Sequence, residues 1–218
     1  MLVEFLTHEN ERGFMMETYP SIGKNISNEY IVAYDKIDGS NIRAEWSRKT
    51  GFTRFGSRTR LMEADEKPLG EAIGLFNEKY ADALAEIFIK QKLIKATAFL
   101  EFYGKNSFAG FHEEETHDVI LFDVHFYKQG FLTGKEFLKL FTSKVDIAPV
   151  LYEGKINSDF IAKVKNGSLD GMTFEGVVCK GSLDNKNRPN NFKIKSEAWL
   201  SKLKNKYIDN EDMFNQLS

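Results

Sequence analysis

Residues 29–41 read EYIVAYDKIDGSN, and the fold turns on how this stretch is divided. Residues 29–37 (EYIVAYDKI) are rich in β-branched and aromatic side chains, the composition of a strand. Gly39 breaks it, and a glycine there permits a tight turn and close backbone approach to a ligand. Residues 41–46 read as a return strand and residues 51–55 as a third. Lys36 thus closes a strand at the rim of a sheet, with Asp38 two residues on, and points into whatever cleft the sheets enclose. A desolvated lysine with cationic neighbours loses its proton more easily and can act as a nucleophile. Taken alone, the same hexapeptide also suits a surface hairpin carrying a solvated lysine.

Outward from this segment, residues 70–91 place apolar side chains at Ala72, Ile73, Leu75, Phe76, Tyr80, Ala83, Leu84, Ile87 and Phe88, which is helical spacing over several turns. Residues 97–103 and 119–127 read as buried strands. Thr133 begins a helix with Glu136 at the distance of a capping box. Residues 158–165 form a short helix, residues 173–180 and 191–194 strands, and Ser196 caps a basic helix that ends near residue 207. Many strands with interspersed helices indicate an α+β fold with antiparallel sheets.

The 218 residues show no internal repeat and no low-complexity linker, and none of the four prolines marks a hinge. We expect one domain over residues 1–218. The formal net charge of -2 argues against binding polyanions by overall charge, and leaves a local basic surface as the route to a nucleic acid. The single cysteine, Cys179, excludes an internal disulfide and a multi-cysteine zinc site. It fits a reducing, cytoplasmic setting. No apolar run approaches the ~18 residues of a membrane span, and the N-terminal residues lack the order of a signal peptide.

Five further segments follow Lys36 in a fixed order. Phe55-Gly56-Ser57-Arg58 places an arginine 22 residues after the lysine. Leu100-Glu101-Phe102-Tyr103-Gly104 puts a glutamate near the end of an apolar strand, where an unpaired carboxylate is costly. Leu121-Phe122-Asp123-Val124 offers a flat aromatic face. Phe174-Glu175-Gly176-Val177-Val178-Cys179-Lys180 sets an acid and a lysine at the two ends of a strand. Asn191-Phe192-Lys193-Ile194-Lys195 carries two lysines two residues apart, so both face the same side.

Together with Lys36-Ile37-Asp38-Gly39-Ser40-Asn41, these segments resemble the ordered motifs of the superfamily of ATP-dependent DNA ligases, RNA ligases and mRNA capping enzymes. The first matches that family's Lys-x-Asp-Gly-x-(Asn/Arg) pattern. The resemblance implies an ATP-grasp-like nucleotidyltransferase domain of two antiparallel sheets with flanking helices, with ATP in the cleft between them. It implies that Lys36 attacks the α-phosphate of ATP and forms lysyl-AMP, with Lys193 and Lys195 meeting the triphosphate. It gives Arg58 to the ribose and the 5′-phosphate end, Glu101 to a ribose hydroxyl, Phe122 to stacking on adenine, Lys180 to the nucleotide, Asn41 to the later steps and Glu175 to Mg2+ or Mn2+. AMP would pass to the 5′-phosphate of a nucleic acid, which a 3′-hydroxyl then attacks. Such a site needs cations, a metal-holding carboxylate and a stacking surface, and the sequence supplies each.

Asn41, in place of the arginine of DNA ligases, is similar to RNA ligases of the second phage type and their editing-ligase relatives, so RNA with 5′-phosphate and 3′-hydroxyl ends is the expected partner. Only 23 residues follow Lys195, too few for the oligonucleotide-binding barrel or helical domain that such enzymes carry. The expectation is a bare catalytic domain, with room for a protein partner that supplies the missing module. It would seal a pre-adenylylated strand better than it seals starting from ATP. A minimal ATP-dependent DNA ligase and a non-catalytic nucleic-acid-binding module remain alternatives. A metal site built from His112, Glu113, Glu114, Glu115 and His117 is a further one, but these positions share no strand or helix face well and read as a solvated loop. The lysines at 202, 204 and 206 suit either a phosphate track or a solvated face. Lys36→Ala should leave no label on the protein after incubation with α-labelled ATP and Mg2+; full labelling would remove Lys36 from this role.

Overall fold

The computed structural model describes residues 16–107, 114–184 and 188–218. Ten strands follow one another as β1 (Tyr30–Asp35), β2 (Ser40–Ser47), β3 (Gly51–Ser57), β4 (Leu61–Met62), β5 (Lys95–Tyr103), β6 (Asp118–Phe126), β7 (Gly130–Phe131), β8 (Val150–Lys155), β9 (Gly176–Leu183) and β10 (Pro189–Lys195). They form two antiparallel sheets, a smaller one in the order β10-β9-β1-β8 and a larger one in the order β4-β3-β2-β5-β6-β7. Helices α1 (Glu71–Phe76) and α2 (Asp82–Lys90) run on through a π-helical turn (Asn77–Ala81), filling the span expected to be helical. Helix α3 (Gly134–Phe141) starts with the anticipated capping box of Thr133 and Glu136. Helices α4 (Ser158–Lys165), α5 (Glu197–Lys206) and α6 (Glu211–Leu217) follow. Among the described residues no helix is long and apolar enough to cross a membrane.

The apolar run at the start of the key segment has a simple cause. β1 is an inner strand of the small sheet and is buried on both faces. Alternate side chains point to opposite sides. Ile31 and Ala33 pack with Phe160 and Val164 of α4, whereas Val32 and Tyr34 join the main core with Phe137 of α3 and the inner side chains of the large sheet. A strand with two buried faces has no polar alternation to display.

Two expectations are corrected here. Residues 41–46 do not return along β1. Both edges of β1 are taken, by β8 and β9, so the chain crosses after Gly39 into the other sheet and β2 pairs with β3 and β5. The strand expected over residues 173–180 begins only at Gly176, because Gly176 sits at φ +132, a left-handed conformation that ends regular extension. The sequence reading also passed over β4, β7, β8 and α6. β8 is a half-exposed edge strand and α6 is largely polar, so neither carries a strong periodic signal.

One polar contact ties the sheets together. Lys180 of β9 meets Asp123 of β6 at 2.7 Å, with both side chains almost wholly buried. Tyr19 donates a hydrogen bond to the other carboxylate oxygen at 2.8 Å, and Asn191 of β10 donates to Tyr19 at 3.3 Å. The Lys180 ammonium also lies 4.1 Å from the Phe137 ring centroid. Burial pushes the Lys180 ammonium down, and Asp123 opposes that shift. Removing one partner of such a pair leaves an uncompensated buried charge. Asp123→Ala should therefore cost about 3–5 kcal/mol in denaturant unfolding. Lys163→Ala, which breaks an exposed pair with Asp159, should change stability by about 0.5 kcal/mol or less.

Candidate active site

The cleft between the sheets is shaped by two glycines. Lys36 leaves the end of β1 with its backbone N–H bonded to the Gly176 carbonyl at 2.9 Å. The crossover to β2 then passes so close to β5 that a Cβ on Gly39 would lie 2.3 Å from the Phe102 carbonyl oxygen. On the neighbouring strand β9 a Cβ on Gly176 would lie 2.1 Å from the Ile194 carbonyl oxygen. Neither position has room for a side chain, and both bring functional residues in from two directions. Glu175 is fixed as well: Ser196 donates from its backbone to the Glu175 carbonyl at 3.0 Å and from its hydroxyl to the Phe174 carbonyl at 2.6 Å.

Glu175 is the centre of the charge pattern. One carboxylate oxygen lies 2.9 Å from the Lys36 ammonium and the other 2.9 Å from that of Lys195. Lys195 also rests over the Trp199 ring at 3.7 Å and donates to the Leu217 carbonyl. Burial, helped by the charges of Lys36 and Lys193 and opposed by Glu175, pushes Lys195 down to about 8. Lys193 is pushed down by burial and by Lys36 and Lys24.

The expectation that cationic neighbours leave Lys36 uncharged is corrected in this ligand-free state. Burial acts to lower its pKa, but the carboxylates of Glu175, Glu101 and Asp38 together outweigh it and hold the ammonium above its ordinary value. Lys36 is thus held as a cation paired with Glu175.

Asn41 and Glu101 stand opposite each other on β2 and β5 and so share a face. The Asn41 side-chain oxygen is buried with no hydrogen-bond partner among the described residues, an acceptor left open beside the cleft. Burial, with Glu175 and Asp38 nearby, pushes Glu101 up to about 8 against the pull of Lys36. Phe122 packs edge-on against Tyr19, with ring centroids 5.0 Å apart. Lys180 lines the floor, held by Asp123. Arg58 lies exposed just beyond β3. The buried Arg43 guanidinium donates from Nε to the Ser57 carbonyl at 2.6 Å, and to the Met16 and Glu17 carbonyls, bracing the turn that leads to Arg58.

All nine residues singled out in the sequence (Lys36, Asn41, Arg58, Glu101, Phe122, Glu175, Lys180, Lys193 and Lys195) line one cleft of about 920 Å3. The sequence reading missed Tyr19 and Trp199, which line it too, and Asp123 beneath it. Asp123 carried a usable signal: a carboxylate in an otherwise apolar strand demands a buried partner. Tyr19 and Trp199 carried none, since their roles depend on chain segments that meet only in three dimensions. Of the acidic loop, the described Glu114, Glu115 and His117 do not line this cleft. His117 bonds to Glu71 at 2.8 Å and packs on the Phe102 ring, while His112 and Glu113 lie outside the described residues.

A divalent cation fits this cleft in a restricted sense. Among the described residues no group of three or more acidic, histidine or cysteine side chains could hold a metal by itself. Burial, with added repulsion from Glu175 and Asp38, nevertheless keeps Glu101 protonated near neutral pH, and a cation would relieve the repulsive part. Mg2+ commonly takes one or two carboxylates and draws its other ligands from water and substrate phosphates.

Two antiparallel sheets, a lysine at the crossover between them and a ring of cations and carboxylates around that lysine define a nucleotidyltransferase-type domain. The RNA ligase family model matches residues 29–195, and the chain belongs to that family. Solved structures of the RNA ligase of Naegleria gruberi share the fold. One variant solved with ATP and Mn aligns with a TM-score of 0.60 at 18% identity, over 81% of this chain and 52% of that one. Another variant with ATP and Mn gives 0.64 at 17%, over 87% and 58%. The form with PPi gives 0.64 at 16%, over 88% and 59%. The chain thus spans a little over half the length of these ligases. No curated protein matches it.

The Glu101 carboxyl gives a pH signature. In the folded chain it holds its proton to about pH 8, against an ordinary value of 4.5. Between these values unfolding releases a proton, so stability falls as pH rises through that window. Thermal unfolding of the ligand-free protein should therefore show a Tm that declines from pH 5 to 8, and Glu101→Gln should flatten the decline. An equal slope in the variant would refute the assignment.

Proposed function

We propose that this domain is the catalytic core of an ATP-dependent RNA ligase. The observation that carries the reading is the Lys36–Glu175–Lys195 relay: a lysine at the sheet crossover, a carboxylate shared between two ammonium groups, and further cations facing the same cleft. Family membership and the fold shared with an ATP- and Mn-bound RNA ligase support it.

Lys36, released from Glu175 and deprotonated, attacks the α-phosphorus of ATP. An N–P bond forms, the bond to the β-phosphate oxygen breaks, and pyrophosphate leaves. Lys193 and Lys195 offset the charge of the triphosphate and of the departing pyrophosphate. Phe122 offers its face to the adenine, and stacking of this kind is worth ~1–3 kcal/mol per base. Glu101 and the open Asn41 oxygen are placed to accept from ribose hydroxyls. A divalent cation held at Glu175 would lower the pKa of the Lys36 amine and neutralise phosphate charge.

In the second step a 5′-phosphate oxygen attacks the same phosphorus, the N–P bond breaks, and Lys36 regains its proton. Arg58 at the mouth of the cleft suits that incoming phosphate because its planar fork grips two oxygens. A 3′-hydroxyl then attacks the activated 5′-phosphate and AMP departs. RNA with 5′-phosphate and 3′-hydroxyl ends is the proposed substrate, and a single nucleotidyltransferase domain over residues 1–218, with a protein partner for substrate binding, is the proposed organisation. The decisive experiment is adenylylation with ATP, followed by parallel sealing of nicked RNA, nicked DNA and single strands. We expect a mass gain of one AMP and faster sealing of RNA. Adenylylation with DNA preferred would replace RNA by DNA, and no mass gain would leave only a binding module.

A further inference from the structure

Two lysines from different parts of the chain converge on one turn of helix α6. Lys195 of β10 donates to the Leu217 carbonyl. Lys24, from the segment that precedes β1, donates to the Ser218 hydroxyl at 3.0 Å. Lys24 is not placed there by chance packing of a loose arm. Its neighbour Gly23 forms a parallel bridge with Phe192, and its carbonyl accepts from the Lys193 backbone at 3.0 Å. Lys24 therefore stands near Lys193, which lines the cleft, and its charge contributes to the lowered pKa of Lys193. Helix α6 is seated by Phe214 and Leu217 against Trp199 and Leu203, and Leu217 itself lines the cleft.

Like charges gather only where an anion or a substitute for one holds them. Lys24, Lys193 and Lys195 face one region; Glu175 pairs with Lys195 there, and the remaining acceptors are a carbonyl and a hydroxyl oxygen of the chain itself. Both are hydrogen-bond acceptors, as phosphate oxygens are, but both are neutral and satisfy less of the lysines' charge. A phosphate group would do better in the same place.

We propose that Lys24 is a third phosphate-facing cation of this cleft, joining Lys193 and Lys195 on the pyrophosphate portion of ATP, and that the last turn of α6 holds the place of those phosphates until they arrive. The identification of the ligand as ATP rests on the ligase reading; the claim that Lys24 and α6 share a polyphosphate site does not. Entry of the nucleotide then requires Lys24 and Lys195 to exchange their contacts with α6 for phosphate oxygens.

Inorganic pyrophosphate titrated calorimetrically into the full chain tests this without catalysis. Lys24→Ala should weaken pyrophosphate binding roughly tenfold, the scale of one charge-assisted hydrogen bond, and Lys24→Arg should restore most of it. Phe214→Ser, which loosens α6, should tighten binding. In self-adenylylation, Lys24→Ala should raise the KM for ATP by a similar factor. Sealing of a pre-adenylylated RNA strand, which uses no triphosphate, reports whether the variant retains its fold. Undetectable binding of pyrophosphate by the unaltered chain, or affinity within about twofold of it in Lys24→Ala, would overturn the role of Lys24. Unchanged affinity in Phe214→Ser would overturn the placeholder role of α6. Pyrophosphate binding that depends on Lys24 in a chain that takes no AMP would instead defeat the ligase reading and leave the phosphate site standing.

Discussion

The cleft exists because Lys180 and Asp123 meet across it. The outer face of the small sheet packs on α4, while Val32 and Tyr34 on its inner face share one apolar core with the large sheet and with α1, α2 and α3. Apolar contact is non-directional, whereas β9 and β6 each bury a charge that the other neutralises, and that pairing fixes a relation the shared core alone leaves looser. Desolvating both groups is costly, and such a pair adds little net stability over an apolar substitute. What it provides is a fixed relation between the sheets, because no other arrangement satisfies both charges. Tyr19 and Asn191 extend the constraint to the N-terminal segment and to β10.

From that fixed floor the rest of the site follows by close approach of backbones. Gly39 lets the crossover run against β5, and Gly176 lets the start of β9 run against β10. Lys36 and Glu175 sit at the paired ends of the neighbouring strands β1 and β9, and their side chains are thereby brought within 2.9 Å. The resulting pairing holds Lys36 as an ammonium. A carboxylate that holds a lysine in place also keeps it protonated, so holding the Lys36 amine in position and freeing it of its proton are opposed in the ligand-free protein.

The legible parts of this protein were those in which neighbouring residues share a cause. β1 announced itself because both its faces are buried, α1 and α2 because their apolar stripe keeps helical spacing across a π turn, and α3 because Thr133 and Glu136 cap it locally. Lys193 and Lys195 could be placed on one face by the two-residue period of a strand. The misreadings have the opposite character. Whether β2 returns along β1 or crosses to another sheet depends on which strands occupy the edges of β1, and β8 and β9 lie more than a hundred residues away. The edge strand β8 and the polar α6 show no periodic apolar face because little of either is buried.

The amino-acid sequence by itself determined the order of chemical groups: a lysine before a glycine turn, then an arginine, an acid, an aromatic, an acid with a lysine, and a lysine pair. It did so because each group sits in a short segment whose backbone is set by its own residues. Only the tertiary structure decided that these groups face one cleft, that Lys36 rests as a charged partner of Glu175, that Asp123 and Lys180 bind the sheets to each other, and that Lys24 and Lys195 meet at the end of α6. Those outcomes depend on burial and on the distance between charges, and both are properties of segments that meet only after the chain has folded.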